Sequence, residues 1–541
     1  MEDPILHTLS YLAHTRNQAA VPVLVAALGS QLATIRLGAI RGLVERRNAS
    51  GHQELIVRFE SFAERERATL AESLLGSTHH MKAALQEAVL DEKQDLCGNA
   101  CHIILLGRVY QSLPTLVKVA EHRAHRHSDQ AAATLVQLAR LLQGEFSRPA
   151  QERSCDPFFT RREVLPPLER SFVRFGNHQR LEITDAFLLL VPPSNATLLR
   201  VLDDPKHACY APVTESLASS PVTAMLDLLA QMLHDTKAPS SVLHIIAHRR
   251  DRKFLDLLLH QVGTPVSLRV LENMRRLSTV PWLSEDRTTL LELDGPAQAA
   301  AVELALATNI RRNDQFELFK MLITRGEWEA RRASCDALGR FQEPQAAHLV
   351  REALRDPDPR VKAAAARQSR RRTPDATKQL VTLLEDPAPE VRAAARSSLA
   401  EFNFARYHAA FDKLNEKERQ TQGRMVLKVD PTAPRRLIEQ LSLPAPSARR
   451  RGLEMVAAMD AADAVFDHLV AMLDDSDLTV RTDAALAMGR ATGAKAMMAL
   501  RRAERDPNRI VRDAAQKSID RLVVIQSELA NQDANTLGSA Y

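Results

Sequence analysis

Asp356-Pro-Asp-Pro-Arg-Val361-Lys362, Asp386-Pro-Ala-Pro-Glu-Val391-Arg392, Asp475-Ser-Asp-Leu-Thr-Val480-Arg481 and Asp506-Pro-Asn-Arg-Ile-Val511-Arg512 share one arrangement: an Asp-led turn, a β-branched residue, then a base. Each runs into an Ala-rich pattern of helical period, and neighbouring copies within a block lie about thirty residues apart, a spacing that signals a stacked array. A length of 541 residues points the same way, since a single core stops growing near ~250–300 residues.

Residues 375–399 show how a copy is built. Ala376, Leu380, Val381, Leu383 and Leu384 recur at three- and four-residue steps and predict a first helix with one apolar stripe. Asp386-Pro387 ends it, because a residue before proline is pushed out of the helical region. Pro389 suits the first turn of a second helix that buries Val391, Ala394, Ala395 and Leu399. Asp358, Asp477 and Asn508 hold equivalent N-cap places, and Ala388 leaves its copy without that cap. The apolar face of such a hairpin is covered only by stacking on the next.

The pattern resembles the HEAT repeat, which carries an Asp in its internal turn, a Val after it and a Lys or Arg one place on. The resemblance implies an all-α fold, an α-solenoid (an α-α superhelix) of stacked HEAT-like hairpins. It also implies a ladder of ion pairs between neighbouring repeats, carried over here to Asp356, Lys362, Asp386, Arg392, Asp475, Arg481, Asp506 and Arg512. Weaker copies begin at Ile35-Arg36, Ala330-Arg331 and Ala448-Arg449. The expected organisation is divergent helical repeats over 1–143, an irregular insert or junction over 144–180, further divergent repeats over 181–322, a clear array over 323–522, and a helix end with a polar tail over 523–541.

Composition agrees. Aromatics are 4% of residues against 45% hydrophobic, which suits thin helix-on-helix layers better than sheet. A net charge of +5 is mild for a dedicated nucleic-acid binder. Five scattered cysteines form neither a disulfide framework nor a zinc set, and Cys97 with Cys101, one turn apart, read as small buried hydrophobes. The acidic start and short apolar runs give no signal peptide or membrane span, and the expected location is the cytoplasm.

Residues 144–180 depart from the repeat. Five of the 16 phenylalanines lie between Phe146 and Phe175. Phe158, Phe159, Arg161 and Arg162 combine the residue types enriched at binding hot spots and are the candidate partner-binding residues, although the same phenylalanines would also plug a junction. His122, His125 and His127, beside Glu121 and Asp129, could suggest a metal, but Arg123 and Arg126 would repel one; His79-His80 is weaker still. Arg370-Arg371-Arg372 and Arg449-Arg450-Arg451 are two basic clusters that could touch phosphates.

No phosphate loop, dinucleotide fingerprint, metalloprotease helix or nucleophile elbow is present in the sequence, so no catalytic, metal-ligating or cofactor-binding residue is assigned and no cofactor is expected. The expected function is a non-catalytic scaffold or adaptor that binds a protein partner along its concave face. The alternatives are a nucleic-acid-binding HEAT-like protein and a bilin lyase-like protein that handles chromophores.

Overall fold

The computed structural model describes residues 4–75, 80–92, 95–370, 372 and 376–538. Among them the regular structure is α-helix and short 3-10 turns, with no strand. The chain divides into two compact units, Met1–Leu318 and Phe319–Tyr541. Each is built as an α-solenoid, its helices packing on their neighbours along a row.

In the first unit, Pro4–His14, Ala33–Glu45, Glu64–Leu75, Cys97–Leu106 and Ser128–Ser147 pack each along the next, and the row continues through Leu181–Leu190, Tyr210–Ser219 and Ser240–His248. A flanking layer of Ala20–Ala27, Ala49–Val57, Lys82–Leu90 and Leu113–Glu121 is extended by Pro157–Val173. The stretch 144–180 is therefore helical for much of its length, and its main helix is packed into the flanking layer. Pro166 and Pro167 sit inside that helix. They remove the amide partners of the Arg162 and Glu163 carbonyls, and both of those residues are exposed, so water can take the place of the lost bonds.

In the second unit, Trp328–Ala337, Pro359–Ser369 and Pro389–Ser398 form one row of second helices, and Glu416–Val429, Pro446–Met459, Leu478–Met488 and Arg509–Gly538 form another. The first helices, such as Pro344–Ala353 and Ala433–Leu441, pack on their own partners and stand further from one another. The closer layer must lie inside the bend of each row, so the second helices line the inner face. A continuous apolar cluster from Phe404 to Leu522 fills the later row.

Local chemistry explains the hairpins. Ala376, Leu380, Leu384, Val391, Ala394, Ala395 and Leu399 are buried, and each large one adds about 1.5–3 kcal/mol of apolar burial. The first helix runs Ala376–Thr382 and tightens into the 3-10 turn Leu383–Glu385 before Pro387; Asp375 lies outside the described residues. Asp358, Asp477 and Asn508 accept amide hydrogen bonds at the starts of their helices, and Ala388 makes no side-chain cap.

Candidate partner-binding surfaces

The turn acids and the bases meet across repeats. Arg331 Nε and Nη2 fork onto Asp356 at 2.8 and 3.0 Å. Lys362 Nζ donates to Asp386 at 2.9 Å, Arg449 Nη2 to Asp475 at 2.8 Å, and Arg481 Nε to Asp506 at 2.9 Å. Each acid thus pairs with the base of the preceding repeat, 24 to 26 residues earlier. The bases six residues after the acid behave differently from copy to copy: Lys362 and Arg481 reach forward in these pairs, Arg481 also bonding Asp475 O, whereas Arg392 and Arg512 turn back to their own turns. Arg392 donates to the carbonyls of Asp386 and Pro387, and Arg512 to those of Asp506 and Pro507; neither is in an ion pair with a further turn among the described residues. Arg331 and Arg449 supply rungs that the carried-over set leaves out, although both stand at the head of the weaker copies. Arg36, at the head of another, repeats the device: its guanidinium bonds Ser30 O and Gln31 O and reaches Glu66 at 2.5 Å.

Each acid also closes its own turn, with Oδ1 accepting from the amide two residues on: Asp358, Ala388, Asp477 and Asn508. Burial pulls the Asp386 carboxyl up, but the Ala388 amide, the Lys362 ammonium and the Arg392 charge outweigh it and hold the group below the usual carboxylate range. Asp506 is held low in the same way, against burial, by Arg481, the Asn508 amide and Arg512. These charges join one helical pair to the next.

The aromatic cluster divides in two. Phe172 is fully buried and stacks on Phe187 with ring centroids 4.2 Å apart, and Phe175 is buried beside it. Phe158 and Phe159 are 59% and 61% exposed. Asp156 caps their helix by accepting from both of their amides, which fixes the pair on its first turn. Phe146 meets Phe158 edge-on at 5.1 Å, and the Arg161 guanidinium lies 4.8 Å from the Phe146 ring and 5.7 Å from the Phe158 ring. Arg162 is exposed on the same turn. The structure therefore brings Phe158 and Arg161 together around Phe146, whose place in the patch follows from the end of the helix Ser128–Ser147.

The two basic clusters differ. Arg449 is paired with Asp475, Arg450 with Asp483 at 2.7 Å, and Arg451 with Asp412 at 3.0 Å. In the other cluster Arg370 holds Glu401 at 2.7 Å, while no carboxylate among the described residues pairs with Arg372. Arg371 lies outside the described residues.

The remaining constellations have local partners. His122 bonds Lys118 O, His125 stands 3.5 Å from Glu92, and Arg123 ties its turn to His178 O and Gln179 O. Among the described residues no three His, Cys, Asp or Glu side chains converge as metal ligands; His79 lies outside them. Cys97 and Cys101 are buried with their Sγ atoms 3.8 Å apart. No helix among the described residues is long and apolar enough to cross a membrane.

Residues 317–400 match the family model of HEAT repeats, so that part of the chain carries HEAT repeats. No curated protein sequence matches the chain. Among solved structures, that of Kap121p is similar at 14% identity and TM-score 0.26, with 96% of this chain and 57% of that chain covered. The chain therefore spans little more than half the length of that protein. Kap121p bound to the extreme C-terminus of the protein phosphatase Cdc14p gives 11% identity, TM-score 0.27 and coverages of 98% and 78%. Human deoxyhypusine hydroxylase in complex with glycerol gives 16% identity, TM-score 0.17 and coverages of 58% and 98%.

Proposed function

We propose that this chain is a non-catalytic scaffold or adaptor that binds a protein partner along the inner, concave layer of its second helices, with the Phe158 patch as an additional anchor. The observation that carries the reading is the exposure of Phe158 and Phe159 on a turn held by its cap and by Arg161. Apolar rings left in water gain most when a partner covers them, and aromatic residues beside Arg are the usual anchors of such contacts. The ion pairs between repeats have a structural use, which removes them as candidate catalytic acids. A cytoplasmic location belongs to the same proposal.

Cross-linking the intact chain in its native cell and reading the captured proteins by mass spectrometry tests this. Changing Phe158, Phe159, Arg161 and Arg162 together to Ala should abolish capture while the helical circular-dichroism signal stays native. Loss of helical structure with capture of a protein undiminished would make the patch structural and remove the proposal.

A further inference from the structure

A cleft of about 570 Å³ opens in the second unit, lined by Arg367, Arg370, Arg372, Ser397, Ser398 and Glu401 among others. It lies where the second helices Pro359–Ser369 and Pro389–Ser398 end. Its volume falls in the range of ligand sites, about 300–1,000 Å³, but its walls are cationic and polar.

The three guanidiniums are committed unequally. Arg370 is taken, its Nε donating to Glu401 Oε1 at 2.8 Å. Arg367 has only a loose partner, Asp336 at 3.8 Å, and both side chains are about half exposed. Arg372 uses Nη2 on the Leu338 carbonyl and on Gln368 Oε1, which leaves Nε–H and Nη1–H without a protein acceptor among the described residues. Burial pulls the Arg372 guanidinium below its ordinary value, with weaker pulls from Cys335 and Glu343 opposing. Three arginines against one glutamate leave the lining with a positive excess that the 449–451 cluster, matched acid for base, does not have.

We propose that this cleft receives the clustered carboxylates of an acidic peptide segment on the protein partner. The chemistry is already displayed there: Arg370 holds a carboxylate of this chain, so further carboxylates beside Arg367 and Arg372 extend an existing Arg–carboxylate pattern. A guanidinium fork matches a carboxylate with two parallel bonds, and the Ser397 hydroxyl is exposed on the wall. The carboxylates would screen a half-buried cation that no carboxylate among the described residues pairs with directly. The second basic cluster is neutralised residue by residue, so it adds no unpaired cation to a stripe that could track a nucleic-acid backbone. This inference rests on the partner-binding reading and names the partner's chemistry.

Fluorescence polarisation of a labelled hexaglutamate peptide with the intact chain tests it without any cellular partner, so its failure leaves the cross-linking result standing, and the reverse. Binding is expected that weakens between about 50 and about 300 mM salt. R367Q/R372Q should weaken it at least about tenfold, the loss expected for two charge-assisted contacts. R450Q/R451Q removes the same charge from arginines already paired, and should leave binding within about twofold. R367Q alone, which disturbs no hydrogen bond to Leu338, should weaken binding with an unchanged helical spectrum. E401Q should tighten it by removing a competing carboxylate. Absent binding, equal losses in the two double variants, or displacement of the peptide by inorganic phosphate or an oligonucleotide at lower concentration would overturn the assignment.

Discussion

At the scale of single residues, the turn acid has two partners at once. Asp386 closes its own turn through the Ala388 amide and accepts Lys362 from the repeat before. Its folded carboxyl is held below the usual range, as is that of Asp506, so the stability they add is present above the unfolded value of about 3.9 and is lost as pH falls through the folded value. D386N/D506N should therefore unfold at lower urea than the wild type near neutral pH, and the gap should close below about pH 4. A gap that stays constant down to about pH 3 would deny the carboxylates this part. Ala388 offers the converse test. Its backbone has the extended cap geometry, φ −80° and ψ 124°, with no side-chain acceptor. Ala388→Asp should stabilise that repeat by about 1 kcal/mol in urea titration, and no gain would mean that the turn does not use a cap there.

At the scale of elements, helices in the second layer approach closely enough for a methyl group to matter. A Cβ on Gly489 would lie 2.7 Å from Ser518 Cβ and 3.1 Å from its Cα, and Ser518 Oγ donates to Ala485 O at 2.9 Å. Gly489→Ala should cost about 1–3 kcal/mol by overpacking, read from thermal unfolding, and Ser518→Gly in the same chain should recover part of it; additive losses would show that the two helices do not touch there. Helix spans of this kind were legible in sequence wherever Asp, Pro and the apolar period agreed, as over 375–399. A Pro-Pro pair is ordinarily a break in a helical pattern, yet Pro166 and Pro167 lie inside a continuing helix, where the residues whose carbonyls lose their partners, Arg162 and Glu163, are exposed. The register of the ladder was also hidden. Spacing alone shows a base six residues after each acid, and only the stacking shows that the acid's partner stands 24 to 26 residues before it. The split among the phenylalanines, with Phe172 in the core and Phe158 on the surface, depends on the helix face and not on composition.

At the scale of the whole molecule, function follows from a division between what the fold uses and what it leaves over. Charges that sequence could take for chemistry, such as Asp356, Asp475 and Arg449, are used up in joining repeats. Phe158 and Phe159 stay largely exposed, Arg367 has only the loose contact to Asp336, and Arg372 touches the preceding repeat through Nη2 alone; these are the groups proposed to meet a partner. The cleft escaped the sequence reading because Arg370-Arg371-Arg372 and Arg449-Arg450-Arg451 look alike in one dimension and differ only in the acids that stacking brings to them. Each row coheres through contacts between adjacent helical pairs, so disturbance at one joint should stay near it. Hydrogen exchange read by mass spectrometry on the intact D386N chain measures this most directly. Faster exchange confined to Pro359–Ser369, Pro389–Ser398 and their neighbours, with Leu478–Met488 protected as in the wild type, is the predicted result; an equal loss of protection throughout the second unit would contradict it.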